Sequence, residues 1–258
     1  MKKKNNFYLP ILIFILVTNV QTNQAQFFKK LKEKISKKTP KVELQVSDTS
    51  QVFNGWKPGA SDIILYVVTE FDASKRTHVV GSINEDGSFT YKLPDSIQTS
   101  VPVNALTEEC THQSDTTIEN TQVKISFAKL LVGQNKSFVG NLNPVNPVEA
   151  VYNLGENKEN NGEKGEYYWF VYSDGYASIQ LKCIKNFTMR DAKGRAYKDT
   201  LEAESMIAIQ LKKGWNLLRT EVIESIPVGA AVHFTKNKVT IVDKLPDDIK
   251  WVYQSNKN

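Results

Sequence analysis

The sequence predicts an all-β protein, and three observations support this prediction. Apolar and polar residues alternate along much of the chain after residue 41, as they do in strands with one buried face. The strand-like runs recur at roughly ten-residue spacing and are joined by turns rich in Gly, Asp and Asn. Helical spacing is scarce outside a short N-terminal segment. We therefore expect mainly antiparallel strands in two β-sandwich-like modules, residues 42–140 and residues 148–258.

Strand and turn signals follow one another through the first module. Residues 42–46 alternate, and the apolar run at 63–68 (IILYVV) predicts a strand that is buried on both faces. Asp86-Gly87 separates two alternating runs and predicts a hairpin, because Gly accepts the positive φ of a tight turn. The polar residues 107–121 predict a loop.

The second module begins after a turn-rich connection at residues 141–147, which predicts the boundary between the modules. Strand patterns then occur at residues 167–172 (YYWFVY), 177–183, 205–211 and 215–222. The tetrapeptide Lys-Leu-Pro-Asp occurs at 92–95 and again at 244–247, and it indicates a strand end in each module.

The first 25 residues predict a secretory signal peptide. Lys2, Lys3 and Lys4 precede an apolar run at residues 7–17, which is shorter than the roughly 20 residues of a membrane-spanning helix. Ala25 is the expected cleavage residue, and an uncleaved membrane anchor is the alternative. No Cys lies near Ala25, so we do not expect a lipoprotein. No second apolar stretch is long enough to span a membrane, so we expect a soluble protein of the periplasm or the extracellular space.

Residues 26–41 predict a short basic amphipathic segment. Phe27, Leu31 and Ile35 recur every four residues, with Phe28 beside the first and Lys at most other positions. Two interpretations stay open: a helix that lies on an anionic membrane surface, or a solvated tether. A helix of about three turns is near the limit of stability in water, which favours the tether.

The charge of the chain is unevenly distributed. Of the net charge of +5, residues 1–25 contribute +3 and residues 26–41 contribute +6, so that residues 42–258 carry −4. The predicted globular part is therefore mildly acidic, and this excludes a nucleic-acid-binding surface as the reason for the basic pI.

Cys110 and Cys183 are the two cysteines of the chain. In an oxidising compartment they could pair and close a loop of about 70 residues, which would stabilise the fold by ~4 kcal/mol on the chain-entropy model. Two separate buried thiols are the alternative.

Two sets of residues resemble exported proteins. Residues 81–94 (GSINEDGSFTYKLP) resemble the hairpin of carboxypeptidase-regulatory, transthyretin-like β-sandwiches. Residues 171–174 (VYSD) and 211–216 (LKKGWN) resemble the Tyr-x-Asp strand end and the Lys-Gly-Trp-Asn hairpin of an uncharacterised family of exported bacterial proteins. The resemblance implies the β-sandwich fold and the compartment. The lipoprotein Cys usual in such proteins is absent here, so a lipid anchor is not implied.

No familiar catalytic motif is present. The sequence lacks a Gly-x-Ser-x-Gly elbow, a His-Glu-x-x-His pair, a phosphate loop and a dinucleotide fingerprint. Cys110 and His112, with acidic neighbours, fall short of the four ligands of a structural zinc site. We therefore expect no enzyme activity, no metal and no cofactor. Carboxylates are abundant, so a carbohydrate-active hydrolase with an unrecognised carboxylate pair is an alternative.

The aromatic segment contains the candidate ligand-binding residues. Tyr168, Phe170 and Tyr172 share one face of a strand. If that face is exposed, it offers a flat platform for sugar rings or for a partner protein; if it is covered, the segment is a central strand.

These patterns together predict an exported, non-enzymatic binding or structural protein of the bacterial cell envelope. Its expected partner is an envelope protein or a glycan, with no nucleic acid, and an anionic membrane surface is a further candidate for residues 26–41. The alternative function is a glycan-binding module that uses Tyr168, Phe170 and Tyr172.

Overall fold

The computed structural model describes residues 44–256, with internal gaps. The gaps are residues 71, 73–74, 108–109, 155–160, 191–195 and 229–230. The predicted signal peptide and the predicted basic segment, with Phe27, Phe28, Leu31 and Ile35, lie outside the described residues.

Fourteen strands and two short 3-10 helices form within the described part of the chain. The first eight strands and the first 3-10 helix are β1 (Leu44–Val46), β2 (Ser61–Val67), β3 (Thr77–Ile83), β4 (Phe89–Tyr91), β5 (Val101–Pro102), η1 (Val103–Thr107), β6 (His112–Glu119), β7 (Lys124–Gln134) and β8 (Ser137–Asn146). The remaining elements are η2 (Val148–Leu154), β9 (Gly165–Ser173), β10 (Ala177–Arg190), β11 (Ala196–Leu211), β12 (Gly214–Val228), β13 (Ala231–Val242) and β14 (Lys250–Ser255).

The strands are hydrogen-bonded into one continuous sheet. Its main path runs β4-β3-β2-β7-β8-β9-β12-β13-β11-β10-β6, while β14 joins β1 to β8 and β5 pairs with β7. The pairing of β11 with β13 is parallel, whereas the other strand pairs described are antiparallel. The prediction of an all-β, mainly antiparallel fold is confirmed.

The predicted division into two modules is not confirmed. The predicted boundary, residues 141–147, overlaps β8, which pairs with β7, β9 and β14. Strands of the first predicted module also pair directly with strands of the second, since Ala128 of β7 lies opposite Phe170 of β9. Val42–Asn258 forms one compact unit.

Two large apolar clusters lie on opposite sides of β7. Ala128 and Leu130 belong to the cluster that also contains Phe53, Trp251 and Phe170. Ile125 belongs to the other cluster, which β9, β10, β11, β12 and η1 complete. Side chains of successive residues point to opposite faces of a strand, so one strand contributes to both cores.

The predicted hairpins form where the turn residues indicate. Ile83 of β3 lies opposite Phe89 of β4, and Gly87 has a φ of 86°. The turn between β11 and β12 ends at Gly214, the first residue of β12, which has a φ of 97°. Both glycines therefore occupy backbone conformations that side chains disfavour.

Two strand-level predictions are wrong. Residues 107–121 do not form a continuous loop, because His112–Glu119 is β6 and pairs with β10. The run 63–68 is not buried on both faces either: Ile63, Leu65 and Val67 are buried, whereas Val68 is 46% exposed. The outer face of β2, with Ile64 and Tyr66, is therefore apolar but only partly covered.

Cys110 and Cys183 form a disulfide that ties the start of β6 to β10. Of the two alternatives that the sequence left open, pairing is correct. Disulfides are typical of proteins that mature in an oxidising compartment.

Within the residues that the structure describes, the helices are too short and too polar for one to cross a membrane.

Candidate functional site

The candidate site is an aromatic groove between the end of β4 and the face of β9, β12 and β13. Its volume is about 250 Å³. The groove is lined by Tyr91, Leu93, Phe170, Lys212, Trp215, Asn216, Leu217, Val242, Asp243 and Leu245. We call it the aromatic groove.

One wall is a row of apolar side chains across three strands. Leu217 of β12 lies opposite Phe170 of β9 on one side and opposite Val242 of β13 on the other. Residues in register across a sheet point to the same face, so the three side chains stand side by side. The rings of Tyr91 and Phe170 meet edge to face, with 6.2 Å between the ring centroids.

Trp215 is held in place by a hydrogen bond and a ring contact. Its indole Nε1 donates to the carbonyl oxygen of Pro94 at 2.7 Å. Its ring meets that of Tyr172 edge-on, at a centroid distance of 5.2 Å. The indole N–H therefore already has its hydrogen-bond partner within the protein, and only the aromatic ring of Trp215 is available to a ligand in the groove.

The side-chain amide of Asn216 makes hydrogen bonds to the backbone of the turn between β11 and β12. Its Nδ2 donates to the carbonyl oxygens of Lys212 and Gly214 at 2.8 Å and 3.0 Å. Its Oδ1 accepts the backbone N–H of Lys212 at 2.9 Å. Asn216 is 3% exposed, so this amide stabilises the turn.

The repeated tetrapeptide Lys-Leu-Pro-Asp contributes one side chain from each copy to the groove. Its two copies follow directly after β4 and shortly after β13, as the strand-end prediction requires. Leu93 and Leu245 both line the groove and pack against the same apolar cluster as Trp215. The repeat was visible in the sequence, but the convergence of its copies was not.

The rim of the groove carries opposite charges. Lys212 Nζ lies 3.5 Å from Asp243 Oδ1, and the two side chains are 56% and 94% exposed. An ion pair this exposed contributes little to stability. Burial raises the pKa of the Tyr91 phenol from 10 to about 12, so this side chain stays neutral even in mildly alkaline solution.

The three residues that the sequence singled out as a possible platform are buried. Tyr168, Phe170 and Tyr172 are 3%, 7% and 9% exposed. Of the two alternatives that the sequence left open for this strand face, the covered one is correct, because β4, the segment after it and neighbouring side chains cover this side of β9. Of the three, Phe170 lines the aromatic groove.

Tyr168 belongs to a polar network beside the groove. Its hydroxyl donates to Glu166 at 2.5 Å, and Arg219 Nη1 donates to the same carboxylate at 3.2 Å. Burial, together with the hydrogen bond to Glu166, raises the pKa of the Tyr168 phenol. The network ties the start of β9 to β12 and keeps Tyr168 away from the groove.

Two of the acidic side chains that a hydrolase could have used, Glu204 and Asp174, are engaged in local contacts. Glu204 pairs with Lys182 at 2.6 Å and with Lys236 at 3.6 Å. Asp174 accepts the backbone N–H of Lys124 at 3.0 Å. Among the described residues, no three His, Cys, Asp or Glu side chains cluster closely enough to hold a metal ion.

Comparison with known proteins does not extend these observations: no protein-family model, no curated protein and no solved structure matches this chain.

Proposed function

We propose that this chain is an exported, non-enzymatic binding protein of the bacterial cell envelope, and that its aromatic groove binds an apolar stretch of a partner protein. The proposal depends mainly on the chemistry of the groove wall. Leu93, Leu217 and Leu245 line it together with aromatic rings, while the polar groups of Trp215 and Asn216 are used internally.

This chemistry favours a protein ligand over a sugar. A sugar ring carries several hydroxyl groups that lose hydrogen bonds to water on binding and need polar partners in return. The indole and amide groups of the groove already have partners, and at the rim Lys212 pairs with Asp243. An apolar side chain requires no such partner, and its burial is favourable by about 25 cal/mol per Å².

Two observations support an exported compartment. The disulfide between Cys110 and Cys183 is typical of an oxidising environment. The basic and apolar start of the sequence has the pattern of a signal peptide. In this proposal the basic residues 26–41 tether the globular part near an anionic membrane surface.

Site-specific photocrosslinking in the exporting cell tests the proposed function. Benzoylphenylalanine is placed at Leu245, and the adducts are identified by mass spectrometry. We expect a discrete protein adduct that Leu93→Glu abolishes, because a charge on the opposite wall makes the groove unfavourable for apolar side chains. The matched control carries the photoprobe at Tyr176, which is 70% exposed and outside the groove. An adduct that Leu93→Glu leaves unchanged would contradict the proposal.

A glycan is the second candidate ligand, and the aromatic rings of Tyr91, Phe170 and Trp215 favour it, since such rings stack on sugar faces. Titration of the purified protein with soluble peptidoglycan fragments distinguishes the two. Saturable quenching of tryptophan fluorescence that Trp215→Phe removes would favour the glycan over the protein ligand.

A further inference from the structure

A second surface of the molecule exposes apolar side chains on the opposite side of β2 from its buried residues. Val68, Val79 and Phe138 are 46%, 69% and 46% exposed, and they are three of the six most exposed large apolar side chains in the described part of the chain. Exposed apolar side chains that occur singly need no explanation, but a contiguous group marks an interaction surface.

Strand register brings these side chains together. Ile64 of β2 lies opposite Val79 of β3, and Gly133 of β7 lies opposite Phe138 of β8. The rings of Phe138 and Tyr66 are nearly perpendicular to each other, at a centroid distance of 6.3 Å. We call the set Ile64, Tyr66, Val79 and Phe138 the outer patch.

A shallow groove of about 230 Å³ runs through the outer patch. Ile64, Val79 and Phe138 line it together with the polar side chains Thr77, Gln134 and Ser137. Gly133 shapes the floor: a Cβ at this position would lie 2.4 Å from Ile64 Cδ1. Because Gly133 has no side chain, the side chain of Ile64 can occupy this space.

The charges around the outer patch are mainly positive. Arg76 and Lys129 lie over the Tyr66 ring, with the guanidinium carbon and Nζ at 5.8 Å and 5.7 Å from its centroid. Lys136 lines the groove, and Asp62 is the acidic residue there. This basic surface belongs to residues 42–258, which carry a net charge of −4, so the positive charge is local.

We infer that the outer patch is a docking surface for an acidic segment of a partner protein that inserts a large apolar side chain between Val79 and Phe138. Lys129 and Lys136 attract the carboxylates of that segment, and the groove takes the apolar side chain. Electrostatic complementarity of this kind selects partners and speeds their association.

Other occupants fit the surface less well. A second copy of the chain that docked through the same patch would add its own Lys129 and Lys136 to a surface that is already positive, which disfavours self-association. A bilayer buries an apolar face that inserts among the lipids, whereas Ile64, Val79 and Phe138 line a groove together with polar side chains. This surface is separate from the aromatic groove and does not depend on the function proposed for that groove.

Fluorescence anisotropy with defined peptides tests the inference. The probe is a fluorescein-labelled peptide of alternating Glu and Phe, and its counterpart has Lys in place of Glu. We expect the acidic peptide to bind, the basic peptide not to bind, and added salt to weaken the binding. The double variant Lys129→Glu, Lys136→Glu and the single variant Val79→Asp should each reduce the affinity by about tenfold or more.

Control variants separate a local effect from a general one. Lys164→Glu changes an exposed charge outside the groove and should leave the affinity unchanged. Val79 is 69% exposed, so Val79→Asp should keep its melting temperature; if it does not, the Lys129→Glu, Lys136→Glu variant carries the test.

Four results would each overturn the inference. They are failure of the acidic peptide to bind, equal binding of the two peptides, sedimentation with vesicles of phosphatidylcholine and phosphatidylglycerol that Val79→Asp abolishes, and a dimer in solution that Val79→Asp dissociates. The third result would assign the surface to lipid and the fourth to a second copy of the chain.

Discussion

The indole N–H of Trp215 donates to the carbonyl oxygen of Pro94 and so ties the start of β12 to the segment that follows β4. The two residues are 121 positions apart in the sequence. This one hydrogen bond positions both a ring and a wall of the aromatic groove, because Leu93 precedes Pro94 and lines the groove beside Trp215.

Replacing Trp215 tests the contribution of this contact to stability. We expect Trp215→Phe to lower the free energy of unfolding by about 1 kcal/mol or more, because the Pro94 carbonyl loses its donor and the smaller ring leaves a gap. Urea denaturation measures the change. Tyr176→Phe, at a 70% exposed position, is the control and should be neutral. Equal stability of the Trp215→Phe and Tyr176→Phe variants would contradict the prediction.

The disulfide should account for a large part of the stability. Cys110 and Cys183 are 73 positions apart, and closure of a loop of this length stabilises the folded state by ~4 kcal/mol on the chain-entropy model. The double variant Cys110→Ala, Cys183→Ala should therefore unfold at a much lower urea concentration than the wild type. The reduced wild-type protein should behave like the double variant, and a loss below about 1 kcal/mol in both would refute the prediction.

The ion pairs of Glu204 should make stability depend on pH in the acidic range. The hydrogen bond from Lys182 lowers the pKa of Glu204 below 4.5, while its partial burial opposes the shift. A carboxyl group with a lowered folded-state pKa stabilises the protein above its unfolded pKa and loses this contribution as the pH falls through the folded value.

We therefore expect Glu204→Gln to melt below the wild type near neutral pH, and the difference to shrink as the pH falls below about 4.5. Thermal denaturation over a pH series measures it. Glu119→Gln, at an exposed position of β6, is the matched control. A melting-temperature difference for Glu204→Gln that stays constant with pH would contradict a stabilising role for the ion pairs of Glu204.

Gly87 should be far less tolerant of a side chain than Gly55. Both have positive φ, 86° and 69°, but a Cβ on Gly87 would lie 2.3 Å from the carbonyl oxygen of Phe53, whereas a Cβ on Gly55 meets no atom within 4 Å. Gly55→Ala should cost about 1 kcal/mol for the left-handed backbone alone. Gly87→Ala should cost distinctly more, as measured by urea denaturation, and equal costs would refute the steric argument.

The failures of sequence-based prediction have specific physical causes. β6 (HQSDTTIE) was missed because six of its eight residues are exposed. Its sequence therefore shows almost no alternation of polar and apolar residues. The outer face of β2 was expected to be covered because Ile64, Tyr66 and Val68 are apolar, yet composition cannot show whether another layer lies above a strand. For the same reason the sequence could not show whether Tyr168, Phe170 and Tyr172 of β9 are covered, and in the structure they are buried.

By itself the sequence determined what is local. Alternation determined the strand class, and Asp86-Gly87 and Gly214 determined two turns, because these depend on the conformation of a few adjacent residues. The tertiary structure alone decided which side chains meet. Strand order and register bring Leu93 close to Leu245, and Val79 close to Phe138. Both depend on the packing of the whole chain, so the sequence around each residue does not reveal them.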